Sequence, residues 1–107
     1  MRNMTAMDLN EFFKTGVETV KIDVREDVEL EFGVIDGAVH IPMQNVPSQL
    51  NELEKHKNDT VVLICRSGRR SEQIGQFLEQ MGFTDVINLE GGMNAWAVDV
   101  DTSMTVY

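Results

Sequence analysis

Cysteine, tryptophan and tyrosine each occur once in these 107 residues, and proline only twice. Positive charge is scarce too, with nine lysines and arginines against eighteen aspartates and glutamates. Each shortage excludes something. A lone cysteine cannot close an internal disulfide, which removes the cross-linked frameworks of secreted chains. With only His40 and His56 as further soft ligands, multi-cysteine metal sites are removed as well, and no metal or organic cofactor is implied. A formal net charge of −9 argues against nucleic acid or an anionic membrane surface as a general partner; its plainest consequence is solubility. No apolar run reaches the length of a membrane helix. Met1-Arg2-Asn3-Met4-Thr5 leads into a polar helix and not into an apolar leader, so no signal peptide is expected, and a reducing cytoplasm is the expected compartment.

What is present describes an ordinary globule: 42% apolar and 25% charged residues. The length predicts one domain able to bury a core without cross-links, with residues 5–98 as that core and residues 99–107 as a tail without clear pattern. The seven dispersed methionines read as core and gap filling.

Strand and helix signals alternate along the chain. Thr5 is placed to cap a helix whose apolar face is Leu9, Phe12 and Phe13, with Gly16 as its stop. Val20–Val24 reads as a strand, Asp27–Phe32 as a short helical turn ended by Gly33, and Ala38–Ile41 as a short strand closed by Pro42. Pro47 suits the first turn of a helix running to about Lys55, and Asn58-Asp59 is a turn. Val61–Ile64 is a continuous aliphatic run, as expected of a strand covered on both faces. Ile74, Phe77, Leu78 and Met81 recur at helical spacing, and Gly82 ends that helix. Asp85–Leu89 is a further strand, Gly91-Gly92 a turn and Met93–Ala97 a last short helix. The alternation predicts an α/β fold with a mainly parallel sheet, and sites in such sheets lie beyond the carboxyl ends of the strands.

The single cysteine stands at one of those ends. Cys65 closes the aliphatic run and is followed by Arg66-Ser67-Gly68-Arg69-Arg70-Ser71, so three of the nine positive residues fall within five positions of the thiol. A helix beginning here points free N–H groups back at the strand end. Gly68 permits a backbone turn that other residues resist, and successive amides around the sulfur form an anion nest. Amides and guanidinium groups together favour thiolate, which is the nucleophilic form. A lone cysteine is more often core filler, but core cysteines are not usually set in electropositive turns. The same cradle suits a tetrahedral oxyanion such as thiosulfate, sulfate, phosphate or arsenate.

Four segments in this order resemble the single-domain rhodaneses, the thiosulfate or persulfide sulfurtransferases. They are Ile22-Asp23-Val24-Arg25-Glu26; Gly33 to Pro42; the Cys65–Ser71 loop; and Leu89-Glu90-Gly91-Gly92-Met93-Asn94-Ala95-Trp96. The resemblance runs from about Thr5 to Val98. It implies a rhodanese-like fold, a five-stranded mainly parallel sheet flanked by helices on both faces, and Cys65 as the catalytic nucleophile that takes sulfur as a persulfide. It also implies Arg66, Ser67, Gly68, Arg69 and Arg70 as the substrate-binding loop, the three guanidinium groups being unranked candidates for holding a sulfonate. The implied partners are a small-molecule sulfur donor and a thiol acceptor, a thioredoxin-like or sulfur-relay protein among them.

Two related readings compete. Cell-cycle phosphatases and arsenate reductases of the same fold carry Cys, five residues, then Arg; here Ser71 occupies that position and Arg70 comes one residue early, which disfavours oxyanion hydrolysis or reduction. The other is an interaction module that relays sulfur without turnover. The chain has Gly33-Val34-Ile35 where the family often has Gly-His-Ile, a change that bears on packing. Outside the loop, Asp23 and Arg25 read mainly as a buried ion-pair device, with Glu29 as a partner for Arg25. His40 reads as a hydrogen-bonded structural histidine and His56 as solvated. Trp96 is expected to pack the last helix on the sheet, and Asp99 and Asp101 make a poor metal site without further ligands.

Overall fold

Val61–Ile64 is the centre of the molecule because no residue in it tolerates water. In the computed structural model, which describes residues 1–107, these side chains belong to β4 (Thr60–Ile64), and all four are fully buried. Successive side chains of a strand point to opposite faces, and the two cores divide accordingly. Val61 and Leu63 pack with Ile22, Val24, Ile41, Ile74, Leu78 and Val86 on one side of the sheet. Val62 and Ile64 pack with Ala6, Leu9, Ile87, Leu89, Met93 and Trp96 on the other. A strand with no polar face must be covered twice, and this alone requires helices on both sides.

The sheet has five strands, all parallel, in the order β1-β5-β4-β2-β3. Beside β4 lie β5 (Asp85–Leu89) and β2 (Thr19–Asp23), and the edges are β1 (Arg2–Met4) and β3 (Val39–His40). Helix α1 (Ala6–Lys14) connects β1 to β2 and packs with α4 (Gly92–Asp99) on one face. Helix α3 (Arg69–Gln80) connects β4 to β5 across the other. Thr5 caps α1 as expected, its hydroxyl accepting from the Asp8 N–H at 3.2 Å. Trp96 is buried against the sheet, with the Phe13 ring 6.0 Å away.

One strand is new and two expectations are corrected. Strand β1 has no local signal, being three residues without alternation; it exists because Arg2, Asn3 and Met4 lie in register with Ile87, Asn88 and Leu89. The helix expected from Pro47 to Lys55 is broken into a 3₁₀ turn (Pro47–Gln49), one α-helical turn, α2 (Leu50–Leu53), and another 3₁₀ turn (Glu54–His56). Within this stretch only Leu53 is buried, with Val46 just before it; two anchors do not make an apolar stripe, and packing draws the segment into short turns. The tail after α4 is ordered. It returns to the carboxyl ends of the strands, with the Thr105 N–H donating to the Phe32 carbonyl at 3.0 Å and the Tyr107 ring stacked on Phe32 at 4.3 Å.

At the carboxyl end of β2 the chain buries a charge pair. Asp23 and Arg25 are 2% and 0% exposed, and their side chains form a fork, Nη2 to Oδ2 at 2.8 Å and Nε to Oδ1 at 3.0 Å. Arg25 also donates to the carbonyls of Glu29 (3.2 Å) and Gly33 (2.8 Å). Its carboxylate partner is therefore Asp23 and not Glu29. The pair ties the 3₁₀ turn at Asp27–Phe32 to the sheet. Replacing Arg25 by Leu leaves the Asp23 carboxylate buried and unpaired, with an expected loss of about 3–5 kcal/mol in urea unfolding. The double replacement Asp23→Leu/Arg25→Leu is expected to recover part of that loss, because the stranded charge is gone.

Candidate active site

The site forms where β4 ends and α3 begins. Gly68 takes a left-handed conformation (φ 95°) that turns the chain sharply, and a Cβ there would press within 3.2 Å of the Leu89 carbonyl and the Gly91 nitrogen. The turn brings the first amides of α3 to the sulfur. The Gly68 N–H donates to Cys65 Sγ at 3.1 Å and the Ser71 N–H at 3.4 Å, and the Ser67 N–H also favours the charged sulfur.

The outer side of the loop is fixed by α4. The Met93 N–H donates to the Cys65 carbonyl at 2.8 Å and the Asn94 N–H to the Arg66 carbonyl at 3.1 Å. In a planar trans peptide the C=O and N–H point in opposite directions, so these two carbonyls, drawn toward α4, turn the N–H groups of Arg66 and Ser67 away from it, and the loop then continues into the Gly68 and Ser71 amides that bond the sulfur. Gly92 makes this approach possible: a Cβ there would collide with the Cys65 and Arg66 carbonyls.

A polar side-chain chain completes the enclosure. Ser71 Oγ lies 3.3 Å from Sγ and donates to Asn88 Oδ1, and Asn88 Nδ2 donates to the Gly68 carbonyl at 3.2 Å and to Asn3 Oδ1 at 3.0 Å. Cys65, Ser71 and Asn88 are 1%, 0% and 3% exposed. The hydroxyl has a single proton. With Cys65 protonated, S–H donates to Oγ while Oγ–H serves Asn88; with Cys65 ionised, that proton makes a stronger, charge-assisted bond when turned to sulfur. Burial is the largest influence on the thiol and pushes its pKa up. The Ser71 hydroxyl and the N–H groups of Ser71, Gly68 and Ser67 pull it down and prevail, leaving the pKa below the ordinary thiol value.

The arginines are placed otherwise than a ring around sulfur. Arg66 turns outward, donating to the Tyr107 carbonyl with its guanidinium 5.1 Å from the Tyr107 ring centre. Arg70 forks onto Glu29, at 2.7 Å to Oε2 and 2.8 Å to Oε1. Glu29 also accepts from the Tyr107 hydroxyl at 2.8 Å and the Glu26 N–H at 2.8 Å, and its pKa falls to about 2, chiefly through Arg70. Arg69 is exposed and shares a shallow cleft with Glu72 and Glu90. Ser67 is exposed, and Gly68 is buried at the turn. Of the six expected site residues, the structure thus brings Cys65, Ser67 and Gly68 together through the backbone, sends Arg66 and Arg70 to the tail and to Glu29, and leaves Arg69 in the open.

The structure adds the Ser71 side chain, Asn88, Glu29 and Tyr107 to the six expected site residues. For Asn88 a signal existed: a polar residue in the otherwise aliphatic Val86–Leu89 run, at a strand's carboxyl end. For Tyr107 there was none. His40 Nε2 donates to the Arg25 carbonyl at 2.6 Å, a structural bond, and His56 pairs with Asp59 at 2.9 Å. No three His, Cys, Asp or Glu side chains stand together in metal-ligating geometry, and no helix is long and apolar enough to cross a membrane.

Chemically, the arrangement can hold a negative sulfur and the charge on an atom bonded to it. Alkylation of Cys65 followed against pH is expected to show a midpoint below the ordinary thiol value of about 8.5. Ser71→Ala should move that midpoint up and slow alkylation at neutral pH about tenfold, the loss of one hydrogen bond to a charged group. An unchanged profile in the variant would show that the hydroxyl stays with Asn88.

This geometry has relatives. The family model of the rhodanese-like domain matches residues 5–99. YtwF of Bacillus subtilis, which bears a provisional sulfurtransferase name, is 42% identical over 96 residues covering 90% of each chain. A protein of Allochromatium vinosum named a sulfurtransferase is 39% identical over 80 residues, 75% of this chain and 73% of that one. Among solved structures, a rhodanese-like domain protein from Staphylococcus aureus superposes with a TM-score of 0.83 at 33% identity, covering 100% of this chain and 99% of the other. The five-stranded parallel sheet, the cysteine at the end of its central strand and these matches together make the chain a member of the rhodanese-like domain family.

Proposed function

We propose that Cys65 is a sulfur-transfer nucleophile that carries sulfane sulfur as a persulfide from thiosulfate or a persulfide donor to a thiophilic acceptor. Two relatives similar over most of the chain bear sulfurtransferase names; the single observation that supports the finer reading is the set of N–H donors on Cys65 Sγ.

In the loading step, the Cys65 thiolate attacks the sulfane sulfur. A new S–S bond forms, the donor's S–S bond breaks, and its electron pair leaves on sulfite or on a thiolate. Neither leaving group needs a proton from the protein, which agrees with a site that offers donors and no general acid. The outer sulfur of the persulfide carries a negative charge one bond beyond Sγ, where the loop amides from Arg66 to Arg70 are available to it. In the unloading step, cyanide, a small thiol or a cysteine on a thioredoxin-like or sulfur-relay protein attacks the outer sulfur, and the electron pair returns to Cys65. The lone thiol suits a reducing compartment such as the cytoplasm.

Hydrolysis of a phosphate ester fits less well. A phosphate cradle needs a guanidinium closing a loop one residue longer; here Ser71 stands in that place, and Arg70 reaches away to Glu29.

Incubation with a sulfane donor followed by intact-mass measurement is expected to show a gain of about 32 Da, one sulfur atom, absent in Cys65→Ala. Cyanide or a small thiol should then remove it. An adduct that only a protein thiol removes would identify a relay module; no adduct, with phosphate-ester hydrolysis, would replace the reading altogether.

A further inference from the structure

Thiosulfate and an alkyl persulfide deliver the same sulfur but differ in charge where they meet the rim of the site. Thiosulfate is a dianion and leaves as dianionic sulfite, so its sulfonate end needs cations outside the amide cradle. A persulfide, R–S–SH or R–S–S⁻, carries at most one negative charge, placed on the sulfur that the cradle itself receives.

The rim has little positive charge to offer. Both Nη atoms of Arg70 are spent on the two Glu29 oxygens. Glu29 is held as a carboxylate, its pKa near 2, so this neutralisation persists at any physiological pH. The Arg66 guanidinium lies over the Tyr107 ring and donates to that residue's carbonyl. Tyr107 is locked in turn, its hydroxyl between Arg25 and Glu29 and its N–H on Asn94 Oδ1 at 2.9 Å. Arg25 is matched by Asp23. Arg69 makes no ion pair, but it is exposed to solvent and its cleft also holds the carboxylates Glu72 and Glu90.

We propose that Cys65 is loaded by an alkyl persulfide in preference to thiosulfate, because Glu29 and Tyr107 occupy the guanidinium groups that a sulfonate would need. Glu29 is then a specificity-determining residue. The step is Cys65–S⁻ + R–S–SH → Cys65–S–SH + R–S⁻: one S–S bond forms, one breaks, the pair leaves on the donor's inner sulfur, and no net oxidation occurs. R is either a small thiol or a protein cysteine; the shared group is the persulfide. The inference rests on the persulfide chemistry proposed above and narrows its donor.

The test is the rate of sulfur gain on Cys65 by intact mass, at neutral pH, from equal concentrations of thiosulfate, glutathione persulfide and serum albumin persulfide. The expected result for the unaltered chain is loading by at least one persulfide about tenfold or more faster than by thiosulfate, the faster of the two naming the source. Glu29→Gln is expected to raise the thiosulfate-to-persulfide ratio of rate constants about tenfold by freeing Arg70. Tyr107→Ala removes the ring beneath Arg66 and the stacking and hydroxyl contacts that hold the tail, and with them the fixed position of the carbonyl that Arg66 bonds; it is expected to raise the same ratio, and serves if the first variant folds poorly. Loosening of the loop without a charge effect lowers both rates and leaves the ratio alone. An unchanged ratio in both folded variants, or thiosulfate as the faster donor to the unaltered chain, overturns the inference and leaves the persulfide reading intact. No gain of mass from any donor overturns the persulfide reading itself, and this inference with it.

Discussion

The orientation of two carbonyl groups governs the site. Those of Cys65 and Arg66 are held by the first amides of α4, which turns the N–H groups of the same two peptides, Arg66 and Ser67, away from α4; the Gly68 and Ser71 N–H groups that follow in the turned loop bond the sulfur. Burial makes this necessary. A sulfur at 1% exposure has lost its water, and a charge on it is tolerable only with donors already in place. The sulfur therefore depends on two helices, one giving it N–H groups and the other keeping the loop turned so that it can receive them. Gly68 and Gly92 are the residues at which the backbone must pass too close for a side chain.

A second polar layer surrounds the first and leaves it electrically quiet. From β2 outward, Asp23, Arg25, Tyr107, Glu29 and Arg70 form one connected set of hydrogen bonds, two cations against two anions. Its members come from a strand end, a 3₁₀ turn, the tail and α3, so the set also ties the tail to the site. Charge on the sulfur is answered mainly by dipoles, the backbone amides and one hydroxyl, and less by full charges. Dipoles fixed by secondary structure need no rearrangement when the charge appears.

The central fold was legible because its signals are local. Four aliphatic residues in a row require cover on two faces; Ile74, Phe77, Leu78 and Met81 recur at helical spacing; and the order of strand, cysteine, glycine-bearing turn and helix fixes where the sulfur lies. What escaped depends on partners distant in sequence. Strand β1 is made by its register with Ile87–Leu89. The segment after Pro47 contains helix-compatible residues but only sparse anchors. Tyr107 gains its meaning from Phe32, Arg25 and Glu29, about 75 to 82 residues away. The arginines show the same limit in another form: their positions after Cys65 place their backbone amides, whereas the direction of each guanidinium is decided by a carboxylate or an aromatic ring elsewhere.

The sheet ends in very little. One border is the three-residue β1, whose outward row begins with Arg2, and the other is the two-residue β3. Unpaired backbone along a long, flat border is what lets one molecule template another; here the borders are too brief to seed such pairing, and like charges keep neighbouring molecules apart. The wholly apolar strand, the segment most prone to self-association if it were bare, sits in the middle of the ladder, shielded by a strand on each side and a helix above and below. The topology that sets the sulfur at a sheltered strand end thus also protects the chain from aggregating.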